Sequence, residues 1–375
     1  MVTDLSPFSP GNCKALVVKV GSALLVDEDG KLRREWLQSL AADIADRRAR
    51  GQRIVVVSSG AIALGARRLG LPKGGRACLE DAQAAAATGQ ILLSQAWAEL
   101  LGDKGITAAQ MLLTLGDLED RRRFLNAAAT LERLLGLGVV PVLNENDSVA
   151  TEEIRFGDND RLAARVGQAA AAEGVLLLSN IDGLFTADPR SDPDAELIAR
   201  VDDIDAVLKR VTLGESAAMG SGGMGAKVAA ARIACKSGIP LGIAQGTGLN
   251  PLARLEETGR CTVFAAVSAS RARKAWLAGR LTSAGRLTID AGAVKALQRG
   301  GSLLAAGVRQ VDGKFARGDA IEIADENGHV LARGLAGYDI ADARAIAGKR
   351  TEAQADILGY APRSAMVHRD HLVLL

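Results

Sequence analysis

Five short stretches of the chain concentrate the residues able to do chemistry, and most of that chemistry is anion binding. In VVKVGSALLV, Lys19 precedes Gly21 and Ser22. A compact positive charge stands there beside a glycine that lets backbone N–H groups approach a phosphate. In VVVSSGAIALG, the hydroxyls of Ser58 and Ser59 and the free N–H groups of a helix start converge near Gly60, which makes a natural anion site. NENDSVA and the following FGDND gather Asn144, Glu145, Asn146, Asp147, Asp158, Asn159 and Asp160, more polar side chains than an ordinary turn uses. VLLLSNIDGLFTADPR is rich in turn residues after Ser179 and Asn180 and suits a nucleotide base and ribose. GSGGMGAKVAAARIA opens a helix with Lys227 in its first turn; loop N–H groups, helix dipole and lysine all favour negative charge.

Plainer readings stand beside these. A strand-end turn with a snorkelling lysine explains the first stretch equally, N-capping by serine explains the second, and Asp158 reads as a helix cap. The pair Asp188-Pro189 reads as a simple turn. The glycine-rich loop is not a Walker A motif, because Ala226 precedes Lys227 and Val228 follows it. Gly220, Gly222 and Gly225 satisfy G-x-G-x-x-G, but LGESAAM precedes them where a strand is needed. A dinucleotide oxidoreductase is therefore a weak second reading. Arg121 to Arg123 read as a solvated helix face, and Trp36 and Trp97 as core.

The elements that position these stretches are legible as short apolar runs without period-two alternation, the pattern of strands covered on both faces. They are residues 15–20, 54–57, 139–143, 175–178 and 241–244. Helical stretches at 81–101, 120–135 and 226–237 alternate with them. The expected fold class is α/β, an open and mostly parallel sheet sandwiched by helices, with ligands beyond the carboxyl ends of the strands. From about residue 285 the texture changes to short apolar runs separated by VDGKF, RGD and ENGH, which predicts a small β-rich domain. The expected division is 1–275 for the ligand-binding domain, 285–363 for the β-rich domain and 364–375 for a tail.

Composition excludes several classes. The 375 residues are 48% hydrophobic and carry 46 basic against 44 acidic side chains, a formal net charge of +2. That balance disfavours a strongly basic nucleic-acid binder. Cys13, Cys78, Cys235 and Cys261 lie far apart, without the spacing of zinc or thiol-redox sites, as in a reduced protein. The three histidines, His329, His368 and His371, come late in the chain, which removes most routes to a histidine metal site or a Ser-His-Asp triad; no metal-ligating residues are expected. The opening MVTDLSPFSPGNCK has neither the positive charge nor the apolar core of a secretory signal, and no apolar run approaches the ~20 residues of a membrane span. The expected location is the cytoplasm, with no membrane partner.

Taken in order, VVKVGSALLV, SSGAIALG, NENDSVATEEIRFGDND, NIDGLFTADPR and GSGGMGAK resemble the amino acid kinase family, and the β-rich end resembles a PUA domain. NENDSVA followed by GDND points within that family to the member that phosphorylates L-glutamate. The resemblance implies the amino acid kinase fold followed by a PUA-like barrel. It also implies ATP-dependent phosphorylation of the 5-carboxylate of L-glutamate to L-glutamyl 5-phosphate, the first step of proline biosynthesis. Lys19 and Lys227 are then expected at the transferring phosphoryl group, with Asp160 holding them. Ser59, Asp147 and Asn159 are expected to bind glutamate. Lys19, Ser179 and Asn180 are expected to bind ATP, together with Ser221, Gly222, Gly223, Met224, Gly225, Ala226 and Lys227.

Two departures fall on the nucleotide side: Ser179-Asn180 where the family often has Thr-Asp, and Gly225-Ala226-Lys227 where it often has Ser-Thr-Lys. The resemblance further implies Mg²⁺ carried mainly by phosphates, feedback inhibition by proline, homo-oligomerisation and coupling to glutamyl phosphate reductase. Alternatives are a kinase acting on acetylglutamate or aspartate, or an RNA-binding protein working through the PUA-like domain. Residues 285–363 hold 11 Lys/Arg and 10 Asp/Glu with only Phe315, Tyr338 and Tyr360 as aromatics, which offers RNA little charge or stacking surface.

Overall fold

Apolar runs flanked by glycine and polar residues become the strands of the larger sheet. In a computed structural model, which describes residues 3–149, 158–209, 211, 223–266, 283–363 and 365–375, these are β1 (Ala15–Val20), β2 (Arg53–Ser58), β3 (Ala108–Leu113), β4 (Val140–Glu145), β5 (Gly174–Ser179), β6 (Arg200–Val201), β7 (Leu241–Gln245) and β8 (Cys261–Phe264). Their order is β3-β4-β2-β1-β5-β7-β8-β6. All pairings are parallel except β7 with β8. β1 is the strand at which the order turns: β2 flanks it on one side and β5 on the other. In such sheets the crevice beyond the carboxyl ends at the turning point takes the ligand.

Alternate residues of β1 feed opposite cores. Leu16, Val18 and Val20 join Trp36, Leu40, Ile44, Leu93, Trp97 and Leu252 under the helices Arg34–Ala49, Leu79–Gly102 and Pro251–Thr258. Val17 joins Leu162, Val166, Val228 and Ala231 under Asp158–Ala169 and Met224–Lys236. Lys19 has the parity of Val17, so it meets the second pair of helices. That parity alone decides which side chains Lys19 can reach.

A close helix crossing fixes the second polar stretch. The helix Ala61–Leu69 begins at Gly60, whose φ of +105° is a left-handed conformation that glycine adopts freely. A Cβ at Gly65 would stand 1.8 Å from the Ala85 carbonyl oxygen, and one at Gly89 would stand 1.8 Å from that of Ala61. The two helices therefore touch backbone to backbone, which no larger residue permits. This contact also sets the height of Gln90 on Leu79–Gly102.

The chain divides into two compact units, Met1–Val267 and Ser268–Leu375. The second contains β9 (Gly285–Ile289), β10 (Val308–Gly313), β11 (Ala320–Asp325), β12 (Val330–Leu335) and β13 (Leu372–Leu374), ordered β10-β9-β11-β12-β13. It closes on a core of its own that includes Leu287, Ile289, Phe315, Ile321, Ile323 and Tyr338. The stretch 364–375, read from sequence as a tail, instead supplies β13, which pairs with β12, and Val367, which bridges Leu303. Its short HLVLL run lacks the length that marks a strand in sequence, and the pairing edge of β12 supplies what the run lacks. The four cysteines are free thiols, with burial pushing Cys13, Cys235 and Cys261 up to about 12. Among the described residues, no helix is long and apolar enough to cross a membrane.

Candidate active site

The carboxyl ends of β1, β2, β4 and β5 border one cavity of about 280 Å³, lined by Lys19, Gly21, Ser59, Gly60, Asn144, Ser179 and Asn180 among others. At its floor Asp160, in the first turn of Asp158–Ala169, is fully buried. Its Oδ1 lies 2.6 Å from Lys19 Nζ and its Oδ2 lies 3.2 Å from Lys227 Nζ. Burial alone would raise the Asp160 carboxyl; the two ammonium groups more than reverse this and hold it below the usual carboxylate range. Burial pushes the Lys19 ammonium below its ordinary value, with Asp160 opposing the shift and Lys227 adding to it. Two buried cations face one buried carboxylate. Among the described residues the cluster carries a formal surplus of one positive charge, which suits a polyanion.

The opposite wall is made of hydroxyls and amides. Asn159 Nδ2 donates to Ser59 Oγ at 2.9 Å and to Asn144 Oδ1 at 3.1 Å. Asn144 Nδ2 donates in turn to Gln90 Oε1 at 2.8 Å. Trp97 Nε1 donates to Ser58 Oγ at 2.9 Å, tying the end of β2 to the helix behind it. Asn159 Oδ1 is buried with no hydrogen-bond partner among the described residues. A buried unpaired carbonyl oxygen is costly, so this acceptor is suited to a donor brought by a ligand. Asp147 and Glu145 complete the acidic part of this wall.

Ser179 is buried at the end of β5, where its backbone carbonyl accepts from Gly246 N–H at 2.7 Å, and Asn180 follows it at the exposed rim of the cavity. Gly223 caps Met224–Lys236 with no side chain to bond the first-turn N–H groups. Of this helix start, Lys227 lines the cavity. Met224 packs on the apolar core, Ala226 is buried, and Gly225 completes the turn. Ser221 and Gly222 lie outside the described residues.

One lining residue escapes any sequence argument. Arg76 lies in LPKGGRACLE, between the helices Ala61–Leu69 and Leu79–Gly102, and faces the same cavity. Burial lowers its guanidinium below the ordinary arginine value while the Asp147 carboxylate pulls it back up. Nothing in the spacing of a turn arginine announces a carboxylate so much further along the chain.

The model of the amino acid kinase family matches residues 14–245, and that of the PUA domain matches residues 285–358. The chain belongs to the amino acid kinase family. Its curated relatives in the family include the glutamate 5-kinase of Sphingopyxis alaskensis, 64% identical over 372 residues, covering 99% of this chain and 100% of that one. The glutamate 5-kinase of Zymomonas mobilis is 58% identical over 369 residues, covering 98% and 93%. Among solved structures, a UMP kinase from Bacillus anthracis covers 68% of this chain and 96% of its own, with a TM-score of 0.47 and 16% identity. The mostly parallel sheet between helices is the amino acid kinase fold, and the five-stranded sheet belongs to the PUA domain.

Proposed function

We propose that this chain transfers the γ-phosphoryl group of ATP to the 5-carboxylate of L-glutamate, the activity its glutamate 5-kinase relatives are named for and the first step of proline biosynthesis. The observation that carries the reading is the buried Lys19–Asp160–Lys227 cluster, two cations on one carboxylate, facing a wall of serine, asparagine and aspartate. The nucleophile is a carboxylate of ordinary pKa about 4.3, ionised at neutral pH, so no general base is required. The barrier is repulsion between an anionic acceptor and a polyanionic donor, and catalysis then rests on positioning and charge neutralisation.

In this reading Lys19 and Lys227 neutralise the phosphoryl oxygens in transit, and Asp160 fixes both ammonium groups. Ser179, Asn180 and the start of Met224–Lys236 hold the nucleotide. Ser59, Asp147 and Asn159 hold glutamate, its ammonium matched by the Asp147 carboxylate and by Asn159 Oδ1, which no other described residue engages. An acetylated amine has no such charge to offer, which disfavours acetylglutamate as substrate. Asp160 has both oxygens engaged by lysines, and among the described residues no group of three acidic, histidine or cysteine side chains is placed to hold a metal ion. This donor set suits Mg²⁺ carried by the phosphates of ATP, where it supplies further charge neutralisation.

Proline shares the α-carboxylate and the ammonium of glutamate, so competition in the same pocket is the form of feedback inhibition this site supports. The deciding measurement is ADP release with glutamate, acetylglutamate, aspartate and carbamate. Rapid turnover is expected only with glutamate; turnover of another acceptor at the same rate would overturn the assignment.

A further inference from the structure

Glutamate brings three charges into the cavity, and the groups assigned above answer two. The 5-carboxylate must meet the phosphoryl group beside Lys19 and Lys227, and the ammonium is met by Asp147 and Asn159. The α-carboxylate is the anion still to be matched. Among the described lining residues the cations are Lys19, Lys227 and Arg76, and both lysines belong to the Asp160 cluster.

We infer that Arg76 binds the α-carboxylate of glutamate and makes the enzyme selective for acceptors that carry one; the inference rests on the glutamate reading. Arg76 is held where such a contact needs it. Lys73, Gly74 and Gly75 all take left-handed φ values, +50°, +62° and +74°. A Cβ at Gly75 would stand 2.8 Å from that of Ala66 and 3.1 Å from that of Ala85. The turn is thus wedged between the two helices that cross at Gly65 and Gly89, and Arg76 leaves it half-buried against the cavity. A guanidinium has five N–H donors in a planar fork. It can therefore serve the Asp147 carboxylate and a ligand carboxylate together. Asp147 and Arg76 would then read the two charges of one α-carbon, acid to ammonium and guanidinium to carboxylate.

The test compares glutamate with isoglutamine, its α-amide, which keeps the ammonium and the 5-carboxylate but lacks the α-carboxylate charge. In the full-length enzyme, Arg76→Met should raise the glutamate KM about 10- to 100-fold. The KM for ATP and kcat should stay within about threefold. The isoglutamine constant, read as KM or as competitive inhibition of glutamate turnover, should change by less than about threefold. Arg76→Lys, keeping the charge but not the fork, should recover part of the glutamate loss. A glutamate KM unchanged in Arg76→Met would overturn the inference. So would equal weakening of glutamate and isoglutamine, because an arginine acting only through Asp147 would affect the shared ammonium of both. Absence of glutamate-dependent ADP release in the unaltered enzyme would instead overturn the function itself, an outcome distinct from either.

Discussion

Arg47 and Lys19 are both buried cations of the first unit, but the company they keep differs. Arg47, 2% exposed, donates to the Phe8 carbonyl at 2.9 Å and to Gln52 Oε1 at 3.0 Å, and pairs with Glu256 at 2.8 Å. Nearby Asp43 accepts from the N–H groups of Leu252 and Ala253 and thereby starts the helix Pro251–Thr258. Gln52 closes the set by donating to the carbonyls of Phe8 and Cys13. Arg47 and Arg50 stand against Glu256, Asp46 and Asp43, so each cation of this cluster is answered by acids of the protein itself. Around Lys19 the count among the described residues is two cations to one acid. Burying charge is costly unless it is paired. An ion cluster made to hold elements together therefore neutralises itself, whereas an unbalanced one implies a ligand that completes it.

The sharpest way to break this comparison is to remove one cation from each cluster. Lys227→Ala and Lys19→Ala should lower kcat by about 10²- to 10³-fold with little change in the glutamate KM, because the charge acts on the phosphoryl group in transit. Either change leaves Asp160 one-to-one with its remaining lysine, so the melting temperature should hold or rise. Arg47→Met should do the reverse. It removes two hydrogen bonds and the ion pair with Glu256 and takes from the buried Gln52 Oε1 its arginine donor, at a cost of about 2–3 kcal/mol in denaturant titration, while kcat and both KM values stay within about twofold. If the lysine variants were destabilised as much as Arg47→Met, the excess charge would be structural and the contrast would fail.

Within the cavity, Asp147→Ala tests whether the amide wall is as specialised as the lysine floor. The glutamate KM should rise about 10- to 100-fold with the ATP KM unchanged, since a buried ammonium loses its carboxylate. Parallel loss of both affinities would mark a general electrostatic or folding defect instead.

The two clusters are unequally legible in the amino-acid sequence. Lys19 can be placed because β1 is a clean apolar run whose end must border a ligand crevice, and Asp160 because GDND opens a helix just after another such run. Strand β3 escapes the pattern: AAQMLL is partly exposed throughout and mixes Gln110 with small residues, as an outermost strand can. β6 and β8 are two and four residues long, below the length at which a run is informative. The Arg47 clamp joins residues from three distant stretches, in part through the backbone carbonyls of Phe8 and Cys13, which leave no mark in side-chain spacing. Arg76 is hidden for a related reason. Its place depends on a helix crossing at Gly65 and Gly89, and only the fold brings that turn to Asp147.

A smaller effect comes from pH. Because burial and Lys227 lower the Lys19 ammonium, it loses its proton at a lower pH than an ordinary lysine, whose value is near 10.5. The alkaline decline of kcat should therefore begin below that pH, and Lys19→Arg, protonated throughout, should move any residual activity's decline upward. Circular dichroism over the same range separates this from unfolding. A decline starting only above pH 10.5 would show that Lys19 is not depressed.

The least effect is expected from removing the second unit. The Lys19 cluster, the amide wall and Arg76 all belong to Met1–Val267, as do both apolar clusters on the faces of the larger sheet. The second unit buries its own core and, among its described polar side chains, buries only Gln354. Excess charge that is also buried is a mark of the site in the first unit; the second unit's cluster of Arg286 and Arg333 on Glu322 has the same two-to-one count but stands partly in solvent. A chain ending near residue 275 should then fold, since a unit of that size buries an ample core. Its glutamate-dependent ADP release should stay within about threefold of the full chain. Oligomer size and the response to proline are where a difference is expected, because the described residues lining the cavity all lie in the first unit and leave the second to serve assembly or regulation. The measurement is turnover of the purified truncation after its melting transition has been recorded. A folded truncation without activity would mean that the PUA domain completes the active site, and the contrast between a balanced clamp and an unbalanced centre would then have to extend across both units.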